Sequence, residues 1–387
     1  RKRFRGRGVW LRKSLIIFQF TVSVFLIVST IIIKGQLQYI QSKKLGYERE
    51  HVLVMGIDQK IYEKAELVKT ELKTNPDILS VSLAYETPVH IKGGYSMNSI
   101  GHPKEMIVNA NPVDEDYLKT NGLEIVAGSD LNKQDVADAS KEDYTKCYYH
   151  FVLNETAAKE LGWAPQEAIG KKMFLGEDRP GEVKAVIKDF HYESLHNPIG
   201  GLVLFPGGWW NTLLVKTNGK NTDQAISFIG KKWKELAPHR PLEYRFMDED
   251  YQRMYEAEMR TGKVFNIFSG IAILLACIGL FGLSAYAARQ RIKEIGVRKI
   301  LGASIANIAL LLSASFLQLV FISFLIACPL AWLAMSQWLQ DFEYRISIEW
   351  WVFAVAGMAA LSIALLTVSV EAIKAALSNP VKSLRTE

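Results

Sequence analysis

Four stretches of this chain carry no charged residue, and each is long enough to cross a membrane. They span residues 14–33, 264–288, 305–340 and 350–370. A helix needs about 20 residues to cover a hydrocarbon core of about 30 Å. Only helices and closed barrels satisfy their backbone groups in lipid, and runs this continuously apolar lack the alternation of a barrel strand. The chain therefore reads as a four-span membrane protein, with residues 34–263 as its one substantial aqueous block.

Charge sets the expected orientation, because cytoplasmic flanks collect Lys and Arg. Arg1, Lys2, Arg3, Arg5, Arg7, Arg12 and Lys13 precede the first span. Arg289, Arg291, Lys293, Arg298 and Lys299 lie between the second and third spans, and Lys374, Lys382 and Arg385 follow the fourth. The remaining loop, 341–349, offers Arg345 against Asp341, Glu343 and Glu349. One topology fits: termini and the 289–304 loop in the cytoplasm, the large block outside. The net charge of +6 then reports membrane orientation rather than nucleic-acid binding. Trp10, Trp338, Trp350 and Trp351 fall near the expected interfaces, where amphipathic rings settle. Cys277 and Cys328 lie in spans and only Cys147 lies outside, so no disulfide is expected in the outer block.

Strand and helix signals alternate through that block. Residues 51–57, 78–84, 106–113, 183–188, 212–217 and 243–246 read as strands; 61–74, 154–161 and 223–236 read as helices. Residues 133–146 read as a polar loop, and the whole as a mixed α+β domain in two lobes. Beyond the first span, Leu37, Ile40 and Leu45 keep a helical apolar spacing, so that span continues outward as a stalk. On the return, Tyr251, Met254, Tyr255 and Met259 follow an i, i+3, i+4, i+8 pattern that predicts a second stalk helix running straight into span two. A stalk without a flexible Gly/Ser linker transmits motion, whereas a loose one only tethers.

Chemistry-bearing motifs are scarce. No Gly-x4-Gly-Lys-[Ser/Thr] loop, Gly-x-Ser-x-Gly elbow or His-Glu-x-x-His pair occurs. Asp189, His191, Glu193 and His196 crowd within eight residues and could be read as zinc ligands of a metallohydrolase. Phe190, Tyr192 and Leu195 interleave with them, which suits a hydrogen-bonded structural corner better. The spans hold no Asp, Glu, Lys, Arg or His, the groups that ion-coupled pumps need at membrane depth. Gln19 and Gln318 read as interhelical hydrogen-bonding residues, and Ala272, Ala276, Gly279, Gly282 and Ala285 as a close-contact face. Pro329 is expected to kink span three.

The cytoplasmic loop is the most specific stretch. Ile292, Ile295 and Ile300 share a face of a helix, with Lys293, Glu294 and Arg298 around it. A lipid-surface anchor has no use for the helix-weakening Gly296 and Gly302; a short docking helix with a close approach does.

The stretch EIGVRKILGAS (294–304) closely resembles the cytoplasmic loop of FtsX-like permeases, the membrane subunits of one class of ABC transporter. The resemblance extends to ACIGLFGLSAYAARQ before it and NPVKSLRTE at the C-terminus. VLNETAAKELGW, AIGKKM and VIKDFHYESLH look like a MacB-type periplasmic core domain. The resemblance implies a helical membrane fold of four transmembrane helices, with a large α+β extracytoplasmic domain inserted between helices 1 and 2. It implies a coupling helix that docks on a separate P-loop ATPase, carried by Ile292, Glu294, Gly296, Arg298, Lys299, Gly302 and Ala303. Stalk residues Leu37, Ile40, Tyr251, Met254, Tyr255 and Met259 would convey ATP-driven movement to the outer domain. The chain itself would hold no cofactor and catalyse nothing, ATP and Mg belonging to the partner ATPase.

Further partners implied are a second permease half or an identical copy, the lipid bilayer, and a periplasmic or outer-membrane component acting on amphipathic cargo. The alternative within the family is a regulator of an envelope hydrolase or sensor complex. The start at Arg1 suggests the C-terminal half of an eight-span permease of the Bacteroidota kind. Ala314 and Ser315 depart from relatives that carry an acidic residue there. The expected division is a basic cytoplasmic segment 1–13, span one 14–33, the outer domain 34–263, span two 264–288 and the coupling loop 289–304. Span three 305–340, a short outer loop 341–349, span four 350–370 and a cytoplasmic tail 371–387 follow.

Overall fold

The computed structural model describes residues 2–99, 102–290, 294, 297–298, 301 and 303–377. Two compact units divide the chain: residues 1–42 with 257–387, and residues 43–256.

In chain order the elements are α1 (Lys2–Ser42), β1 (Val52–Gly56), α2 (Gln59–Tyr62), α3 (Ala65–Leu72), β2 (Ile78–Ala84), β3 (Gly94–Ser99) and β4 (His102–Val113). Next come α4 (Tyr117–Asn121), β5 (Ile125–Gly128), α5 (Lys133–Ala139), β6 (Tyr149–Asn154), α6 (Glu155–Glu160), α7 (Pro165–Ala168), β7 (Lys172–Leu175) and β8 (Pro180–Ile187). Then follow β9 (Leu202–Pro206), β10 (Thr212–Thr217), α8 (Thr222–Leu236), β11 (Arg245–Phe246) and α9 (Met247–Met254). The chain continues through α10 (Glu256–Gln290), α11 (Ile305–Gln340) and α12 (Trp350–Leu377).

Residues 43–256 form two lobes. In the first, β11, β1, β10 and β2 make an antiparallel sheet. Helices α3 and α8 cover it, burying Val68, Leu72, Ile229 and Trp233 against Leu53, Met55, Leu213 and Val215. In the second, β4, β3, β7, β8, β6 and β9 pair in a ring that closes where β9 returns parallel to β4. Closure leaves those strands without a free edge. Phe151, Leu153, Val183, Val203 and Phe205 fill that lobe. The sheets meet at a single pairing, Ala84 with Val113. Just past that pairing, buried Lys69 of α3 binds Asp114 at 2.6 Å, Glu115 at 3.0 Å and Asp116 at 3.0 Å. Burial alone would lower the Lys69 pKa, but these carboxylates outweigh it and raise it, so the ammonium stays charged.

The two-lobed α+β reading agrees with this architecture, and three local expectations need correction. Residues 133–146 are not a loop: Asn132 caps α5, accepting from Gln134 N and Asp135 N, while Asp135 accepts from Asn132 N. That reciprocal arrangement stabilises a seven-residue helix despite its polar sequence. The expected helix 61–74 is two helices, broken between Tyr62 and Ala65. Strands β3, β5, β6, β7 and β9 lie outside the expected strands: β6 and β9 are buried on both faces and so lack alternation, while β5 and β7 are only four residues long.

In the other unit, α1, α10, α11 and α12 each contain a stretch able, by length and composition, to cross a membrane. Their shared core joins Phe20, Val24, Val28 and Ile32 of α1 to Val320 and Ala327 of α11 and Ala356 and Ala364 of α12. Ser323 reaches across from α11, its hydroxyl 3.0 Å from the Ile17 carbonyl, and the Ser23 hydroxyl lies 3.1 Å from the Ala272 carbonyl of α10. These serines supply the interhelical polar contacts expected of Gln19 and Gln318. Gln318 is exposed and makes no interhelical hydrogen bond among the described residues, while Gln19 packs against Gly279, its Oε1 2.6 Å from where a Cβ would stand. Of the expected small-residue face of α10, Gly279 packs against Gln19 of α1 and Ala272 O accepts from Ser23, whereas Gly282 is exposed with open space around it; a further close approach lies at Gly262, against Ile33 and Leu37. Helix α11 runs unbroken through Pro329.

Candidate transmission site

The residues on either side of the outer domain converge on one corner, the segment 189–196. On the entry side, Leu45 O accepts from His191 N at 2.8 Å. Gly46 adopts φ +89°, and a Cβ there would lie 2.8 Å from the Phe190 Cβ. Only glycine combines that left-handed backbone with so close an approach. The Tyr47 ring then meets Phe190 edge-on at 6.0 Å.

On the exit side, the Tyr255 hydroxyl accepts a 2.7 Å hydrogen bond from the buried Leu195 N. The same ring stacks on His196 and packs edge-on against Tyr251 at 5.2 Å. The Arg49 guanidinium sits 4.1 Å above the Tyr251 ring and so links the two sides directly. Only Lys43 and Lys44 separate Leu45 from the end of α1, and α10 begins at the residue after Tyr255. Neither connection contains a flexible spacer.

The polar residues of the corner serve this framework, each with a different partner. Asp189 accepts from Thr156 N at 3.0 Å and from the Thr156 hydroxyl at 2.7 Å, at the start of α6. Glu193 accepts from Asn109 at 2.7 Å and Asn197 at 2.8 Å. The His196 Nδ1 lies 2.6 Å from the Ser194 hydroxyl. His191 is buried; burial first, and then nearby Lys43, push its pKa down to about 4, against the opposing pull of Asp189. The imidazole is therefore neutral at pH 7. Among the described residues no three His, Cys, Asp or Glu side chains gather as a metal site.

The stalk residues are distributed differently from their sequence pattern. Helix α1 stops at Ser42, so Leu45 does not continue it but belongs to the corner. Leu37 packs on the transmembrane core, where it and Ile33 lie 3.2–3.3 Å from where a Gly262 Cβ would stand; Ile40 is buried. On the return, the predicted single helix is broken: α9 ends at Met254, Tyr255 has φ −111° and ψ 23°, and α10 starts at Glu256. The apolar period of Tyr251 and Tyr255 reflects their burial in the outer domain, where the Tyr255 hydroxyl also accepts from Leu195 N at the helix break. Met254 and Met259 are half-buried on either side of the break.

Between α10 and α11, Glu294 and Arg298 form an i, i+4 ion pair at 2.8 Å. Both are about half exposed, so the pair contributes no more than a few tenths of a kcal/mol and leaves both groups open to a partner. Leu301 N bonds to Val297 O and Ala303 N to Arg298 O. Leu301 is 80% exposed and Val297 is 48% exposed. The Ser304 side chain then accepts from Asn307 N to begin α11. Ile292, Gly296, Lys299 and Gly302 lie outside the described residues.

One positioning residue escaped the sequence reading. Gln36, fully buried near the outer end of α1, donates to Tyr344 O at 3.0 Å and accepts from Ile346 N at 3.0 Å. It fastens the 341–349 loop as an adjacent strand would. The preceding Gly35 admits Ile346 to within 3.0 Å of where a Cβ would stand. A lone Gln at the end of an apolar run carries no pattern that would reveal this.

Residues 266–380 match the family model for the FtsX-like permease C-terminal region. The macrolide export ATP-binding/permease protein MacB of Aggregatibacter actinomycetemcomitans is 26% identical over 230 residues, 54% of this chain but 32% of that relative. The chain thus spans about a third of that relative's length. An uncharacterized ABC transporter permease, YknZ of Bacillus subtilis strain 168, is 21% identical over 344 residues, 82% of this chain and 83% of the relative. Among solved structures, the periplasmic region of MacB from Actinobacillus actinomycetemcomitans aligns with 56% of this chain and 98% of its own, at 18% identity and a TM-score of 0.38. The extracellular domain of YknZ from Gram-positive bacteria aligns with 50% and 97%, at 14% identity and a TM-score of 0.34.

Proposed function

Since this chain is an ABC transporter permease of the FtsX-like type, with a MacB-type core domain between its first two membrane helices, we propose that it transmits mechanical work. In this reading a separate P-loop ATPase docks on residues 292–303 and supplies ATP, Mg and all hydrolysis. Its closure displaces α1 and α10, and the displacement reaches an outer domain on the periplasmic side of a bacterial inner membrane. The permease works as a pair, with a second half or an identical copy, and extracts or exports amphipathic cargo. It catalyses no reaction itself.

One observation carries the proposal: both chain connections of the outer domain are fixed to the same corner, at Leu45–Tyr47 and at Tyr255. A tether would need neither the glycine-dependent approach at Gly46 nor a buried hydrogen bond at Tyr255. With both fixed, relative motion of α1 and α10 strains the corner or moves the domain. A packed corner of buried aromatics resists deformation, so movement is favoured. The uncharged spans are consistent with energy entering from outside the membrane core.

The docking assignment is tested by affinity capture from native membranes, comparing the wild type with the Glu294→Lys/Arg298→Glu variant. The expected result is recovery of a P-loop ATPase by the wild type alone. Equal recovery by both chains would remove the docking site from 292–303, and recovery by neither would remove the ATPase partner.

A further inference from the structure

We propose that the N-terminal end of the transmembrane bundle holds one anionic phospholipid, its phosphate at Arg12 and Lys13. A cavity of about 270 Å³ opens there between α1, α10 and α11. Its buried lining is apolar, at Ile16, Phe316 and Leu319; Gln290 and Ser315 add polar groups, and Arg12 and Lys13 line it from exposed positions. Two cations beside an apolar lining suit an anion attached to hydrocarbon, and suit a fully hydrated ion poorly.

Depth agrees with that assignment. Trp10 is 72% exposed at the start of this candidate span, the position that amphipathic rings take at the headgroup level. At 1.5 Å per residue, Arg12 and Lys13 stand about 3–5 Å further along α1, and Ile16 about one turn deeper. The cavity therefore lies at the boundary between headgroups and acyl chains.

Its cations are available. Among the described residues no carboxylate pairs with Arg12 or Lys13. The Arg12 guanidinium is instead held 4.6 Å above the Tyr286 ring, which orients it at the cavity without neutralising it. The volume corresponds to roughly nine waters at about 30 Å³ each, enough for a phosphate and its glycerol. The acyl chains would lie outside, along the exposed Leu11, Leu15 and Phe18 of α1. This inference depends on α1 crossing a bilayer and not on any ATPase, so the two proposals fail separately.

The test titrates the full chain in detergent with phosphatidylglycerol, phosphatidylcholine or inorganic phosphate, and counts bound molecules by native mass spectrometry. One saturable phosphatidylglycerol per chain is expected. Arg12 and Lys13 are exposed, so Arg12→Gln/Lys13→Gln leaves the fold intact and should weaken binding about thirtyfold, the effect of two basic groups near a lipid headgroup. Ala287→Phe, which fills the cavity and keeps both charges, should weaken it at least tenfold. Arg3→Gln/Arg5→Gln removes the same charge from the same flank and should change it less than threefold. Equal binding of phosphatidylcholine would overturn the proposal. So would saturation by inorganic phosphate alone, or equal losses from the Arg3/Arg5 and Arg12/Lys13 variants, which would indicate general surface attraction.

Discussion

Replacing Tyr255 by Phe removes a single oxygen from the corner that joins the outer domain to α10. The ring remains, and with it the packing on Tyr251 and the stacking on His196. The loss falls on Leu195 N, a buried donor whose 2.7 Å hydrogen bond ends on that hydroxyl. Leu195 is wholly buried, so water cannot replace the acceptor without local opening. A buried donor left unsatisfied costs about 1–3 kcal/mol. Hydrogen exchange on the full chain reads this directly: protection of the Leu195 amide should fall roughly 5- to 150-fold. Amides of the distant sheet, such as Val54 and Leu214, should change far less, because the perturbation is local. A change below twofold at Leu195 would show that the hydroxyl is not its acceptor, and the exit-side anchor would lose its basis.

Other perturbations test neighbouring parts of the account. Gln36→Leu deprives Tyr344 O and Ile346 N of their buried partners; at about 1–3 kcal/mol for each, Ile346 amide protection should fall at least tenfold, and unchanged exchange would contradict the clamp. Gly46→Ala meets both a left-handed φ and the Phe190 Cβ, so it should cost about 2–4 kcal/mol, whereas Gly170→Ala, with φ +77° and open space, should cost about 1 kcal/mol. Equal losses in chemical unfolding would dissolve that distinction. The folded His191 pKa, about 4, lies below its ordinary value near 6.5, so the folded state binds fewer protons and stability drains away as pH falls through that window. Between pH 7 and 4.5 the loss is about 2.5 kcal/mol, and His191→Gln should lack it; parallel pH profiles would refute the shift.

What the sequence reveals here follows from the range of the forces involved. Membrane spans are announced by composition alone, since lipid demands about 20 apolar residues whatever the tertiary contacts. Strand β10 and helix α8 are similarly legible from local pattern, as is the helix expected at 154–161, which Asn154 caps by accepting from Ala157 N at 2.9 Å. The corner is not legible in that way. Leu45, Gly46, Arg49 and Tyr255 are distant from 189–196 in sequence, and their roles arise from long-range packing. Tyr251 and Tyr255 illustrate the difficulty, because docking into a domain produces the same i, i+4 spacing as a stalk face. Asp189, His191, Glu193 and His196 illustrate the converse: residues with ligand chemistry, close in sequence, turn toward separate partners. Gln36 is silent for a third reason, since its two hydrogen bonds go to backbone groups more than 300 residues away.

The central claim is that motion enters the outer domain through its two fixed connections. It is tested most directly by inserting Gly-Ser-Gly-Ser immediately after Tyr255 and measuring ATP-driven movement of spin labels on the outer domain, in the assembled complex with its ATPase. The account predicts that the insertion leaves ATPase recovery and hydrolysis intact while abolishing the ATP-dependent change in label distances. Full movement in the inserted chain, with hydrolysis unchanged, would contradict transmission through the Tyr255 connection.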